Sequence, residues 1–551
     1  MNRVAALIAL ARAAHAARSV LMMTSDSMDG RVIDPRQHIG RSVDMPRLRA
    51  LAAAGTNFVN AYTHSPVCGP SRASALTSRY VHDIGTWNNY QELVASPTGL
   101  DTRCVKLYGE AQCAAWAAAF PVPGGIFFDA FVDAGYDVKI FGKVDVGANV
   151  PARYGDTGDQ VDHTGPEARN VPRGAGLLRN SMAWGGWSAT TDNDNAYADD
   201  NATSGAVAAW LTARGANATA AARPFFAYYG LNIPHPPFIT GPAWLARVNQ
   251  TTIHPPYLPD SATAHPYDWH MSVSKGCAEP TTHADMMTIR ATYLAMCAQA
   301  DAFHGAVLDA LAASGLGDDT LIVYWSDHGE LAFEARQVLK DSLREPSARV
   351  PLIFAGPGVA AGRVVEAPSS LLDLWPTLSD LTGIRAPTRP RGLSLAGALA
   401  PVYVPRAQDY VVGEFFAENS DTGAFSIRQG DYKYVAFGHS FPWFAHYGPQ
   451  LFNVTADPLE TTNLAARLPA VAASLDALLV AALGRPYEEI DRDVMANDQL
   501  IWKNYLTRNM TAAGVRKMLN ATYKGFDDAD WARVQAWIAT APVARAPPRS
   551  G

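Results

Sequence analysis

With 551 residues, 48% of them hydrophobic, the chain is long enough for one large packed domain and a smaller second one. A net charge of -7 and the lack of any stretch dense in Lys and Arg exclude the basic excess that phosphate-backbone binding requires, so nucleic acid is not an expected partner. Beyond the N-terminus no window carries an apolar run long enough to span a bilayer.

Residues 1–17 run from Arg3 through the apolar stretch 4–11 to the small residues Ala13-Ala14-His15-Ala16-Ala17, the order of a secretory signal peptide. The alternative is an Ala-rich helix. Residues 19–24 form a compact apolar run that predicts a buried strand, and it stops at Ser25-Asp26-Ser27. The pattern then repeats. Residues 127–134 predict a helix capped by Gly135, and 137–141 a strand ending at Gly142-Lys143. Residues 206–214 predict an amphipathic helix, followed by the aromatic strand 225–229 and the loop Asn232-Ile233-Pro234-His235-Pro236. Residues 292–312 predict a long helix, and 320–325 a strand leading into Ser326-Asp327-His328-Gly329-Glu330.

Helices alternating with buried strands predict an α/β fold with an open, largely parallel sheet covered on both faces. In such folds ligands bind beyond the carboxyl ends of the strands. Asp26, Lys143, His235, Asp327 and His328 are all expected at such exits and so can share one crevice. For each alone the plain alternative is a solvated loop; the repetition gives the reading its weight.

Residues 151–204, rich in Gly, Asn and Asp, and 253–270, rich in Pro and His, are expected as surface excursions. The Pro, Arg and Gly-rich stretch 384–406 is expected as a linker, followed by strands at 410–416 and 425–437 around a Gln429-Gly430-Asp431 turn. The domains expected are therefore 18–390 and a smaller α+β unit at 391–551.

Six Asn-x-Ser/Thr acceptors, at Asn201, Asn217, Asn249, Asn453, Asn509 and Asn520, favour the secretory route. The five cysteines are an odd number for an oxidising compartment. Local pairing of Cys104 with Cys113 and of Cys277 with Cys297 leaves Cys68. In Ser65-Pro66-Val67-Cys68-Gly69-Pro70-Ser71-Arg72 that cysteine stands just ahead of a proline able to open a helix. A helix N-terminus seats an anion. The same placement also suits a low-pKa thiol nucleophile.

Cys68-Gly69-Pro70-Ser71-Arg72, followed by an apolar residue and Thr77-Ser78, resembles the signature of the formylglycine-dependent (type I) sulfatases. The resemblance continues through Asp26, Gly142-Lys143, Pro234-His235-Pro236, Asp327-His328-Gly329-Glu330, Lys340, Val350-Pro351-Leu352, and the late Leu451-Phe452-Asn453, Asp457-Pro458-Leu459-Glu460 and Asn463-Leu464. Ser25 to Arg31, Thr86-Trp87-Asn88-Asn89, Met296-Cys297-Ala298 and Ser326 to Ala332 resemble the arylsulfatase K, or glucuronate-2-sulfatase, branch of that family.

The resemblance implies an alkaline-phosphatase-like fold and hydrolysis of sulfate esters, on a 2-sulfated uronate of a glycan or on an aryl sulfate. It also implies oxidation of Cys68 to Cα-formylglycine by the formylglycine-generating enzyme during export, with a lysosomal or extracellular destination. Cys68 as the hydrated aldehyde is then the nucleophile, with Arg72 holding it. Asp26, Asp327, His328 and residue 68 are the implied metal ligands, an oxygen-rich set suited to calcium, with magnesium second, rather than zinc. Lys143 and Lys340 complement the charge of the transferring group, and His235 is the implied general acid. Lys143 and His235 also bind substrate, and Asn88 and Asn89 beside Trp87 suit sugar contacts, the alternative being a capped turn in the core.

Three departures from the family pattern stand out. Ser27 replaces a second aspartate common in relatives, Asp145 stands where many have a histidine and becomes a possible base, and Ala335 stands where a histidine is expected. Two other functions fit the pattern: a phosphomonoester or phosphonate hydrolase of the same superfamily, and a secreted glycan-binding protein without turnover.

Overall fold

The computed structural model describes residues 19–540 except 90–94, 97–98, 101–104, 106–108, 123–124, 147–187, 418–419, 421, 440–446, 510 and 523–525. The signal-peptide expectation for 1–17, and all but the end of the 151–204 excursion, lie outside the described residues.

Seven strands form the main sheet: β1 (Ser19–Ser25), β2 (Thr56–Phe58), β3 (Asp137–Gly142), β4 (Phe225–Gly230), β5 (Thr320–Ser326), β6 (Leu352–Ala355) and β7 (Arg363–Val365). Their order across the sheet is β7-β2-β6-β5-β1-β4-β3. β3, β4, β1 and β5 are mutually parallel neighbours, and β6 runs antiparallel between β5 and β2.

The central strands are apolar along their whole length because both faces are covered. On β1, Leu21 and Met23 enter one apolar cluster while Val20 and Met22 enter the other. β4 divides the same way, Phe225, Ala227 and Tyr229 against Phe226 and Tyr228. The first cluster is closed by α2 (Ala198–Gly215) and α4 (His283–Ala313), and the second by α1 (Cys68–Thr77). A helix at Pro266–Ser274, α3, follows α2 in the chain.

A second, four-stranded antiparallel sheet comprises β8 (Tyr410–Phe415), β9 (Ala424–Gln429), β10 (Tyr432–Phe437) and β11 (Gln450–Asn453), with α5 (Pro469–Leu483) packed on it. β9 and β10 meet at Gly430, whose φ of 56° meets the left-handed demand of so tight a turn. Among the described residues no single helix is long and apolar enough to cross a membrane.

Three expectations need correction. The linker expected at 384–406 is packed, with Ile384, Leu395, Ala398 and Leu399 in the same cluster as α1 and Arg406 paired to buried Asp373 at 2.8 Å. The excursion 253–270 turns inward at its end, where α3 buries Tyr267, Asp268 and His270. Cys277 and Cys297 are not joined by a disulfide: both are buried, packed as small side chains in the α4 cluster. Cys113 is disulfide-bonded, and Cys104 lies outside the described residues.

Of the six acceptor asparagines, Asn201, Asn217, Asn249 and Asn520 are exposed and Asn453 is half-buried. Asn217, Asn249 and Asn453 cap their own turns through the amide oxygen. The side chain of Asn509 lies outside the described residues.

Candidate active site

Parallel pairing of β3, β4, β1 and β5 brings their carboxyl ends to one edge, where Asp26, Lys143, His235, Asp327 and His328 meet. Gly142 lets β3 leave the sheet: its φ is 72°, and a Cβ there would fall 2.0 Å from the Gly230 carbonyl. Gly329 is equally constrained, since a Cβ would lie 2.0 Å from the Pro346 carbonyl.

Cys68 opens α1 directly after extended Val67, and Pro70 fits the first turn because amides there lack helical partners. One of those free amides, Gly69 N–H, donates to Asn89 Oδ1 at 2.9 Å. Asn88 Oδ1 in turn accepts from Asn89 N–H at 2.9 Å, and Trp87, Asn88 and Asn89 are all buried. This is the geometry of a capped turn that steadies the Cys68 helix.

The Cys68 thiol lies 3.2 Å from His328 Nε2. Ligand atoms of Asp26, Cys68, Asp327 and His328 all lie within 4.8 Å of one another. Donors this close together and this deeply buried form a possible site for one metal ion.

Arg72 threads beneath it, donating from Nε to Asp327 Oδ2 at 2.8 Å and from Nη1 to both the Lys143 carbonyl and the Tyr228 hydroxyl, each at 2.9 Å. Lys143 Nζ is 2.6 Å from Asp26 Oδ2 and 3.8 Å from Asp145. Ser27, at a φ of 71°, donates its hydroxyl to Asp26 Oδ1 at 3.0 Å and its amide to Asp327 Oδ1 at 3.3 Å. Ser27 thus braces two of the candidate ligands.

Burial opposes the charge on Asp26, yet Lys143 first, then His235, His328 and Arg72, hold it well below the ordinary carboxylate range. Burial also opposes protonation of His328, but Asp327 and the Cys68 sulfur push it up to about 9. His235 behaves oppositely: burial, then the Lys340 ammonium, pushes it down to about 3. Its Nδ1–H donates to the Pro236 carbonyl at 2.6 Å, leaving Nε2 to accept from Lys340 Nζ at 2.8 Å.

Several contributors carry no local sequence signal. Tyr228 is one, although its place two residues before the end of β4 puts it on the Cys68 face. Asp200 on α2 accepts the Asn232 and Ile233 amides and fixes the His235 loop. Glu330, buried, accepts the Ala332 and Leu339 amides and is pushed up to about 7 by burial. Ala335 is buried at a φ of 52°. His82, half-buried after α1, has its Nδ1 2.7 Å from buried Glu414 on β8.

Residues 19–384 match the sulfatase family. Arylsulfatase K of Bos taurus is 31% identical over 522 residues, spanning 90% of this chain and 87% of its own length. Arylsulfatase K of Homo sapiens is 31% identical over 526 residues, spanning 90% and 88%. Among solved structures, a phosphonate monoester hydrolase from Silicibacter pomeroyi superposes with a TM-score of 0.64 at 23% identity, over 84% of this chain and 94% of its own. A 2-O GAG sulfatase does so with a TM-score of 0.60 at 21% identity, over 85% and 92%. These two share the fold. With the family match covering most of the chain and the arylsulfatase K relatives nearly all of it, the chain belongs to the sulfatase family and is a sulfuric ester hydrolase.

Proposed function

We propose that the protein removes a 2-O-sulfate from a uronate of a sulfated glycan, with Cys68 converted to Cα-formylglycine and a calcium-type cation bound beside it. The observation that carries this reading is the meeting of Cys68, at the start of α1, with Asp26, Asp327 and His328 in one buried cluster. The substrate class rests on the likeness to arylsulfatase K.

Asp26, Asp327, His328 and residue 68 would hold the cation, which supplies Lewis acidity toward a sulfate oxygen and toward the attacking hydroxyl. As a hydrated aldehyde, residue 68 offers one hydroxyl to attack sulfur and a second whose proton loss restores the aldehyde as sulfate leaves; a serine has no such exit.

The chain's own groups do the rest. Arg72 fixes Asp327 and the base of the crevice, so that ligand geometry is set before substrate arrives. Lys143, buried and held above its ordinary value by Asp26 in spite of burial, keeps a full positive charge beside the sulfate oxygens. Lys340 and His235 share one proton along a 2.8 Å contact, and the pair delivers it to the leaving oxygen. Asp145, across Lys143, is the carboxylate proposed to take the proton as sulfate departs. The implied route is export through the secretory pathway, where the formylglycine-generating enzyme acts, to a lysosomal or extracellular site.

Mass spectrometry of the tryptic peptide 50–72, from protein secreted by cells able to make formylglycine, tests the reading. A hydrazide-trappable aldehyde at residue 68, with release of sulfate but not phosphate from esters of one alcohol, is expected. An unmodified thiol in protein whose modifying enzyme is active would overturn it.

A further inference from the structure

Between His328 and the strand β6 the chain makes a buried turn, 330–341, that is neither helix nor sheet through most of its length. Six of its non-glycine residues adopt left-handed backbone: Ala332, Phe333, Ala335, Arg336, Leu339 and Asp341, with φ between 43° and 72°. L-residues take such conformations only where the surroundings over-determine them. The first part of the turn is stapled by Glu330, whose Oε1 accepts the Ala332 amide at 2.9 Å and the Leu339 amide at 2.6 Å. Arg290 on α4 adds bonds to the Ala332 carbonyl and the Glu334 carboxylate.

The last part carries Lys340 and is held by a different group. Lys275 ends α3 and is 2% exposed. A lysine in that position must be matched by acceptors. Its Nζ donates to the Lys340 carbonyl at 2.5 Å and to Gln337 Oε1 at 3.1 Å. On the other side, Asp341 N–H donates to the Pro66 carbonyl at 3.2 Å, two residues before Cys68. The Lys340 backbone is thereby tied to α3 on one side and to the Cys68 segment on the other. Its side chain is left to reach His235 Nε2 at 2.8 Å.

We infer that Lys275 is a positioning residue for the sulfatase reaction: its buried ammonium fixes the Lys340 carbonyl and Gln337, and so presents Lys340 Nζ to His235 on the leaving-group side. The inference rests on the proposed proton-delivering role of that pair. Lys275 Nζ bonds the Lys340 carbonyl and Gln337, so its effect on the reaction is expected to run through the segment that carries Lys340.

A double-mutant cycle on the full-length, formylglycine-bearing enzyme tests this. Lys275→Met, Lys340→Ala and the double variant are assayed for kcat and KM with 4-nitrophenyl sulfate and with an alkyl sulfate whose alcohol is a poor leaving group. Lys275→Met is expected to lower kcat for the alkyl sulfate by about 10²-fold, with KM within about twofold, because misplacement of a catalytic group by about an ångström has that effect. 4-Nitrophenyl sulfate, which needs little protonation, should lose only about threefold or less. In the Lys340→Ala background the second substitution should cost nothing further. The same loss factor from Lys275→Met in both backgrounds, or no loss in either, overturns the inference. Lys340→Ala slowing both substrates equally would instead overturn the proton-delivery reading, while the cycle still decides whether Lys275 acts through Lys340. Should Lys275→Met not fold, Gln337→Ala enters the same cycle with the same expected pattern.

Discussion

Two buried charge clusters in this chain are similar in composition and opposite in purpose. Where the second sheet meets the main domain, Lys433 Nζ on β10 contacts Glu460 at 2.5 Å, Glu345 at 3.1 Å and the Leu343 carbonyl at 2.8 Å. Tyr62 and the Glu345 amide complete the same knot. There each anion has a cation or an N–H or O–H donor against it. In the crevice, by contrast, Arg72 and Lys143 brace Asp26 and Asp327 from one side, while four ligand atoms turn toward one another. The first arrangement suits a fold and the second a cation with an anionic substrate. Burial and charge alone therefore do not mark a functional site; the direction in which the charges point does.

Substitutions at the two clusters should part activity from stability. The largest effect is expected at Cys68, where Cys68→Ala should abolish turnover while leaving the fold intact, and Cys68→Ser should allow at most one turnover, measured as burst amplitude against steady-state rate. Lys433→Met should do the reverse: it takes the paired cation from Glu460 and one donor from Glu345, and lowers unfolding free energy by about 3–5 kcal/mol, read by denaturant titration, with kcat of the folded fraction kept. If Lys433→Met lowered kcat without loss of stability, the division between the clusters would fail.

Chelation should lower the parent's stability by about 2.7 kcal/mol relative to metal at a hundredfold excess over Kd, and the difference should vanish in Asp26→Ala. Equal activity of parent and Asp26→Ala under chelation would remove Asp26 from the ligand set.

The smallest effect is expected at the His82–Glu414 contact, which also ties β8 to the segment after α1. Burial opposes protonation of His82, but Glu414 raises its pKa above the ordinary 6.5, so its contribution is complete below that pH and fades as pH rises through the folded value. Glu414, buried yet held well below its ordinary 4.5 by His82 and His64, contributes above that pH and loses its share as the medium becomes more acid. The stability difference between parent and His82→Gln should therefore be greatest between about pH 4.5 and 6.5, on the order of 1 kcal/mol, and shrink above neutrality. A difference that grows with rising pH would contradict the assignment.

How much of this was legible in the sequence varies with the range of the interaction. The strands at 19–24, 137–141, 225–229 and 320–325 stand out because continuous apolar runs of that length belong to strands covered on both faces, and the polar residues that end them mark the crevice. The motif around Cys68 named its own chemistry through resemblance. Local pattern did less well where composition stands in for contact: the Pro-rich stretch 384–406 looks like a linker yet contributes Leu395 and Leu399 to the core.

By itself the sequence determined the alternation of buried strands and helices, the exits that carry Asp26, Lys143, His235 and Asp327, and the identity of the residue at the head of α1. Tertiary structure alone decided that Cys277 and Cys297 stay apart, that Asn89 caps the Cys68 helix, that His235 Nε2 meets Lys340 Nζ, and that Lys275 lies behind both. The physical reason is separation along the chain. Periodicity records which face of an element is buried, whereas a bond between residues 65 or 105 positions apart leaves no trace until packing brings its donor and acceptor together.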